Sequence, residues 1–238
     1  YTLDGLGALR PSEIVAALED TDPGVRWHGL QLSEGVLPDN ADTVARVVRL
    51  ASSVEPRVRL QVVLTLGESK TTAADSFLLE LARRHGHEQW MSAAILSGSR
   101  DRAGRLLAGL LSGKTVEGGG RELVGSLAAT LGGRRQVSEW TSVLEAVASH
   151  DEAVKTACLA GLSTGLAGNG GELSDAESTW PALSRLIADR SPSIQRLAIG
   201  LASRLGFQDR PAIRREMQRA MTLAEDAGEE IPDRVAAV

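Results

Sequence analysis

The chain has 238 residues and a formal charge of −5, with 42% hydrophobic residues, much of that share Ala, Leu and Val, and only 3% aromatic ones. A chain of this length buries a substantial core as one or two ordinary domains, and thin aromatic content with abundant Ala, Leu, Glu and Arg favours close-packed helices over sheets. The negative balance argues against a general affinity for nucleic acid, no apolar run reaches the roughly 18 residues of a bilayer span, and the single cysteine, Cys158, excludes an internal disulfide and a covalent c-type haem.

In chain order, Tyr1 to Gly7 (YTLDGLG) reads as the close of a helix, like Val63-Leu-Thr-Leu-Gly67. Asp22-Pro-Gly-Val-Arg-Trp-His-Gly-Leu30 then opens a pattern that returns without gaps at Glu55–Val63, Asp151–Leu159 and Ser191–Ile199. Each copy starts on an acidic or cap-capable residue, often with proline next. A β-branched anchor follows three residues after the start (Val25, Val58, Val154, Ile194), and apolar or small residues lie four and five positions further on. Val25 to Val58 is 33 residues, and Val58 to Val154 is 96, room for three periods of 32. That arithmetic places degenerate copies at Trp90, with Ala94 and Ile95, and at Val124, with Ala128 and Ala129. The step to Ile194 is 40 residues and takes Gly168-Asn-Gly-Gly171 as an insertion.

Between the anchors lie second amphipathic stretches at Val44–Leu50, Phe77–Leu81, Arg105–Leu111, Val143–Val147 and Leu183–Ile187, with apolar residues three and four apart. Turns are expected at Leu37-Pro38, Gly118-Gly119-Gly120 and Arg190-Ser191-Pro192. Each period is therefore two helices, and nothing alternates as a strand would. Pro211 to Leu223 reads as the first helix of a seventh unit, and Ile231 to Val238 as the opening of its second. The expected fold is all-α: a right-handed α-α superhelix of about six helix pairs with no sheet. We expect one array over residues 1–238, a piece cut through a repeat at both ends. It would expose Leu3, Leu6, Val235 and Val238 and associate end to end.

Within a unit, Asp22, Glu55 and Asp151 stand where free backbone donors favour a negative oxygen, and Pro23 and Pro56 suit the first helical turn. Arg26, Arg59 and Lys155 follow those acids by four residues, within reach of an ion pair. Gly29, Val62, Ala94, Ala128, Cys158 and Ala198 would let neighbouring helices approach closely.

The Asp-Pro-x-Val-Arg start, the paired helices and the short period resemble HEAT-like repeats over nearly the whole chain. That resemblance implies a scaffold fold and little about chemistry, because such repeats serve many roles. A narrower likeness, carried by Tyr1–Leu9 and Gln89–Ser97, is to the helical-repeat region of large bacterial proteins resembling membrane-bound dehydrogenases. It implies an extracytoplasmic setting, with a propeller-type domain before the repeats and a c-type haem domain after them. Other HEAT-like proteins resemble DNA glycosylases and bilin lyases, which keeps an enzyme reading open. The net charge and the lack of a repeated basic cluster count against the glycosylase form.

The candidate sites reduce to few. Leu106–Thr115, LLAGLLSGKT, ends like a phosphate-binding loop, but Gly109 and Gly113 enclose three residues instead of four, Ala108 stands where glycine is needed, and the segment is helical by its period. His85, His87 and Glu88 are three metal-ligand types in one turn, without ligands converging from elsewhere. Cys158 with His150 fits a buried, inert thiol at a packing position. Arg26, Arg59 and Lys155, and Arg210, Arg214, Arg215 and Arg219, fit charged faces paired with nearby acids. Trp90 fits core filling, as it takes the anchor position, whereas Trp27 aligns with Leu60 and Thr156 and is a contact candidate. No catalytic, cofactor or metal site is expected. The surface most suited to a protein partner, or to a neighbouring domain of the same chain, is Trp27, His28, Arg59 and Gln61, with no nucleic acid bound and no membrane insertion.

Overall fold

The computed structural model describes residues 2–35, 41–113, 116, 120–167, 173 and 175–225, with the side chains of 220 and 223–225 left out. Fourteen α-helices follow one another, and no strand occurs among the described residues. In order they are α1 (Thr2–Gly5), α2 (Pro11–Leu18), α3 (Pro23–Ser33), α4 (Ala41–Arg49), α5 (Pro56–Glu68), α6 (Thr72–His85) and α7 (Gln89–Ser97). Then come α8 (Ala103–Leu111), α9 (Gly120–Arg134), α10 (Trp140–Val147), α11 (Glu152–Ala167), α12 (Trp180–Ile187), α13 (Pro192–Arg204) and α14 (Pro211–Glu225). Short 3-10 turns extend α4 (Leu50–Ser52) and precede α10 (Val137–Glu139) and α12 (Ala176–Thr179).

The helices form six pairs, α2/α3 through α12/α13, with α14 beginning another. The odd-numbered helices α3 to α13 carry the anchors and pack side by side in one layer. The even-numbered ones, α2 to α12, form the second layer. The molecule is an all-α, HEAT-like solenoid, as the period predicts. The turn at Arg190–Pro192 joins α12 to α13, while those at Leu37-Pro38 and Gly118-Gly119, the insertion 168–171 and the segment 231–238 lie outside the described residues.

One anchor is displaced from its expected place. Counting 33 residues from Val58 gives Met91, which is buried, whereas Trp90 is 76% exposed. The average period of 32 moves the register by one position, and one position turns a side chain by about 100° around a helix. With Met91 in place, the residues four beyond the six anchors (Gly29, Val62, Ile95, Ala128, Cys158, Ala198) and eight beyond (Ser33, Leu66, Ser99, Gly132, Leu162, Ala202) are all buried. The first anchor, Val25, is partly exposed because only the four-residue α1 precedes its pair.

The residue after the anchor does not pair with the helix-starting acid as expected. Arg26 Nη1 donates to the carbonyls of Asp20 and Thr21, both at 2.8 Å, and Arg59 Nη1 to those of Ser53 (2.8 Å) and Val54 (3.0 Å). Gln195 Nε2 does the same to Asp189 (2.7 Å). The guanidinium reaches the turn before its own helix because those carbonyls have no helical partner, and it staples helix to turn. Asp22 is left free to accept from the amides of Gly24 (2.7 Å) and Val25 (3.1 Å), and Asp151 from Val154 (2.9 Å), as N-caps. Glu55 makes no such cap. Lys155 instead crosses to the next unit and donates to Asp189 Oδ2 at 2.7 Å.

Two further features tie units together. Arg102, buried just before α8, donates to the carbonyls of Leu66 (3.4 Å), Gly67 (3.2 Å) and Ser69, and pairs with Asp75 Oδ1 at 3.0 Å. It joins the end of α5, the start of α6 and α8. The α9–α11 contact is the most extensive between helices. A Cβ on Gly161 would meet Ala128 Cβ at 2.8 Å, and one on Gly165 would meet Gly133 N at 2.7 Å, so the two backbones touch directly. At the far end Met217 and Met221 of α14 are exposed, as Leu3 and Leu6 are near the start.

Candidate functional site

The face that the odd-numbered helices leave exposed is set by their register. Residues one before and two after each anchor lie three apart, hence above one another on one side of the helix. In α3 these are Gly24 and Trp27, in α5 Arg57 and Leu60, and in α7 Trp90 and Ala93. In α9 the first of these positions is Leu123, which is buried, and the second Ser126; α11 and α13 supply Ala153, Thr156, Ser193 and Arg196, so the large aromatic groups at these positions are confined to the first three pairs.

The Arg57 guanidinium lies over the Trp27 ring, 3.9 Å from its centroid, and so bridges α3 and α5. It has no carboxylate partner among the described residues. Trp27 packs partly on the core, and the exposed His28 ring meets it edge-on at 4.7 Å. Trp90 holds on α7 the register place that Arg57 holds on α5. An exposed indole of this kind, one helix along from a cation held over another indole, is the composition enriched where proteins bind one another.

Of the four residues expected at this surface, Trp27 and His28 face outward. Arg59 is directed to the turn carbonyls described above. Gln61 is buried, donating to Glu34 Oε1 (3.0 Å) and Thr65 Oγ1 (3.2 Å), while Thr65 donates to Glu34 (3.0 Å). Gln61 thus braces α5 against the end of α3, while Arg59 fixes α5 to its own preceding turn. Sequence reasoning missed Arg57 and Trp90. Counting 33 from Arg57 would have found Trp90, since each is the second residue of its helix and stands just before the anchor.

The other candidates resolve into local structure. Leu106–Leu111 lies within α8, and a Cβ on Gly109 would meet Leu79 Cδ2 at 2.5 Å, so this segment packs as a helix; Lys114 and Thr115 lie outside the described residues. His85 Nδ1 is 2.8 Å from Glu88 Oε1, and the His85 ring, with smaller contributions from His87 and Arg59, holds the Glu88 carboxyl below the usual range. No group of three or more His, Cys, Asp or Glu among the described residues is placed to hold a metal ion. Cys158 is fully buried, which pushes its thiol up to about 12, far from a nucleophile's value. His150 Nε2 is 2.8 Å from the Leu111 carbonyl oxygen, not on Cys158.

On the late helix, Arg210 pairs with Glu177 and lies 5.0 Å from the Trp180 ring centroid, Arg214 pairs with Asp209 (2.6 Å), and Arg219 with Glu216 (3.0 Å). Trp140 is wholly buried, and Trp180 packs on Phe207 with centroids 5.2 Å apart.

Residues 11–97 match a family model described as HEAT repeats. The match spans α2 to α7, the first three helix pairs, which also carry the Trp27, Arg57 and Trp90 positions. No curated protein and no solved structure matches the chain significantly. Residues 11–97 are thus similar to HEAT repeats, and the helix pairs that follow them continue the same two-layer arrangement. The narrower likeness to dehydrogenase-type proteins draws no support from these matches. No helix among the described residues is long and apolar enough to cross a membrane.

Proposed function

We propose that the chain is a non-catalytic scaffold that holds a protein segment, from a separate partner or a neighbouring domain, against the exposed face of α3, α5 and α7. The observation that carries this reading is Trp90, a large apolar side chain left in solvent on the helix after the one that carries Arg57 over Trp27. Tryptophan and arginine dominate binding hot spots: tryptophan covers a broad area with only two rotatable bonds and keeps a polar handle, and arginine joins an apolar stem to a planar, always-charged fork of donors. The set Trp27, His28, Arg59 and Gln61 divides accordingly: the first two make contact, and the last two hold the platform in register.

The test is a phage-displayed peptide library selected against the whole chain, followed by affinities of the enriched peptides for variants. Trp90→Ala and Trp27→Ala are expected to weaken those peptides about 30-fold or more, the size of a hot-spot loss. Enriched peptides that bind both variants as well as the parent would refute the assignment. A gel shift with duplex DNA at low salt addresses the enzyme alternative of the glycosylase kind. Retention of the DNA at submicromolar protein would favour that reading over the scaffold.

A further inference from the structure

A second surface, independent of the tryptophan face, lies where the even-numbered helices turn into the odd-numbered ones. The end of α2 (Leu18, Glu19), Arg26 of α3, Arg46 and Arg49 of α4, and the following turn (Leu50, Ser52, Ser53, Val54) line an open cleft of about 550 Å³. That volume is in the range of ligand-binding clefts. We propose that it binds a carboxylate joined to an aliphatic group, presented by a peptide: the terminal carboxylate of an aliphatic residue, or an Asp or Glu side chain beside one.

Charge is the first argument. Three guanidinium groups line the cleft with one carboxylate, Glu19. Asp42, outside the lining, pairs with Arg46 Nε at 3.1 Å, while Asp22 caps α3 and Asp20 accepts from the Asp22 amide at 2.8 Å, so three cations meet two paired acids and the cleft keeps a net positive charge. The second argument is that a carboxylate already sits there. Glu19 Oε1 accepts from both Arg46 and Arg49, the latter across 3.4 Å, and its side chain is half exposed and able to swing out. Glu19 is an internal stand-in for the ligand. Asp42 holds Arg46, and the Asp20 and Thr21 carbonyls hold Arg26, so the cations are positioned before anything binds. The third argument is the apolar wall. Leu18 and Leu50 form its inner part, and Val54 at the rim is 86% exposed, with methyl groups that nothing in the fold covers. A bare anion would leave that wall wet; an aliphatic side chain next to the carboxylate would cover it.

The test uses the full chain and titration calorimetry with acetyl-Ala-Ala-Leu as the free acid, its C-terminal amide, acetyl-Ala-Glu-Leu amide, acetate and inorganic phosphate. Saturable binding of the free acid or of the Glu peptide, at least tenfold tighter than the neutral amide and than acetate, is expected, and which of the two binds identifies the source of the carboxylate. Glu19→Gln removes the internal competitor and is expected to tighten binding several-fold. Arg49→Gln, at a well-exposed position that leaves folding intact by circular dichroism, is expected to weaken it at least fivefold. Equal binding of acid and amide overturns the proposal, as do phosphate binding more tightly than either peptide, and an absence of saturable binding in both the parent and Glu19→Gln.

Discussion

Trp90 and Trp140 sit one repeat layer apart in role. Trp90 is mostly in solvent, whereas Trp140 is wholly buried at the start of α10, and its indole nitrogen has no hydrogen-bond partner among the described residues. Truncation should separate them. Trp140→Ala is expected to destabilise the fold by about 3–5 kcal/mol, as for other buried aromatic deletions. Trp90→Ala is expected to change stability by no more than about 0.5 kcal/mol, the range of ordinary surface substitutions. Urea unfolding of the two variants checks this, and a large loss in Trp90→Ala would place that indole in the core after all. The sequence misplaces Trp90 for a physical reason. A bulky apolar residue near the expected anchor reads as core, and only the register separates it from Met91.

The Lys155–Asp189 pair carries a pH dependence. The Lys155 ammonium, and then the Ser191 amide, hold the Asp189 carboxyl below its ordinary value. The folded state therefore favours the ionised form. The pair's contribution is fully present above the unfolded value, about 3.9, and is lost as pH falls through that value towards the lower folded one. Asp189→Asn is expected to cost about 1 kcal/mol near neutral pH, as befits a partly exposed pair, and to flatten the decline in stability below about pH 5. Thermal unfolding midpoints from pH 7 to pH 3 decide it: an unchanged acid slope in the variant would mean that another group sets the decline.

At the scale of elements, helix existence was legible and the wiring between helices was not. Every amphipathic stretch from Val44 to Ile187 read from the sequence is a helix here, because apolar spacing reports the buried face directly. The six anchored helices follow from the same logic. The role of the residue after the anchor was misread, since Arg26 can reach an acid four residues back or a turn carbonyl six residues back, and composition does not distinguish them. The α9–α11 contact was also hidden, as Gly125, Gly132, Gly161 and Gly165 look like weak helix positions until the helices are placed together. Adding one methyl group there has a definite expected outcome. Gly165→Ala should destabilise the chain by about 1–3 kcal/mol, the cost of overpacking, although alanine is the better helix former. Gly200→Ala, with nothing within 4 Å of its added Cβ, should be stabilising by up to about 1 kcal/mol. Denaturant midpoints of the two variants would reveal a merely intrinsic propensity effect if both moved in the same direction.

For the molecule as a whole, nearest-neighbour contacts imply graded protection. Amide exchange should be slowest in α9 and α11, flanked by neighbours and in direct backbone contact, and fastest in α1 and α14, whose Leu3, Met217 and Met221 are exposed. Those apolar residues also give the array two surfaces able to meet. Sedimentation over a concentration series is expected to show association in the parent that Met217→Gln with Met221→Gln reduces. Association unchanged by that substitution would assign it to another surface.

The glycine-lined contact also has a mechanical meaning. A solenoid yields to load by small changes at each junction, and a junction where two backbones touch cannot be compressed further. The seam between α9 and α11 is thus a rigid waist; the ends of α5 and α7 also meet backbone to backbone at Gly67 and Gly98, which leaves the junction of α3 with α5, filled by the Gln61, Thr65 and Glu34 side chains, as the compliant part of the spring. Any flexing of the array alters the separation of Trp27 and Trp90 and leaves the waist unchanged. A segment gripping both indoles would consequently be held more or less tightly according to the tension on the chain.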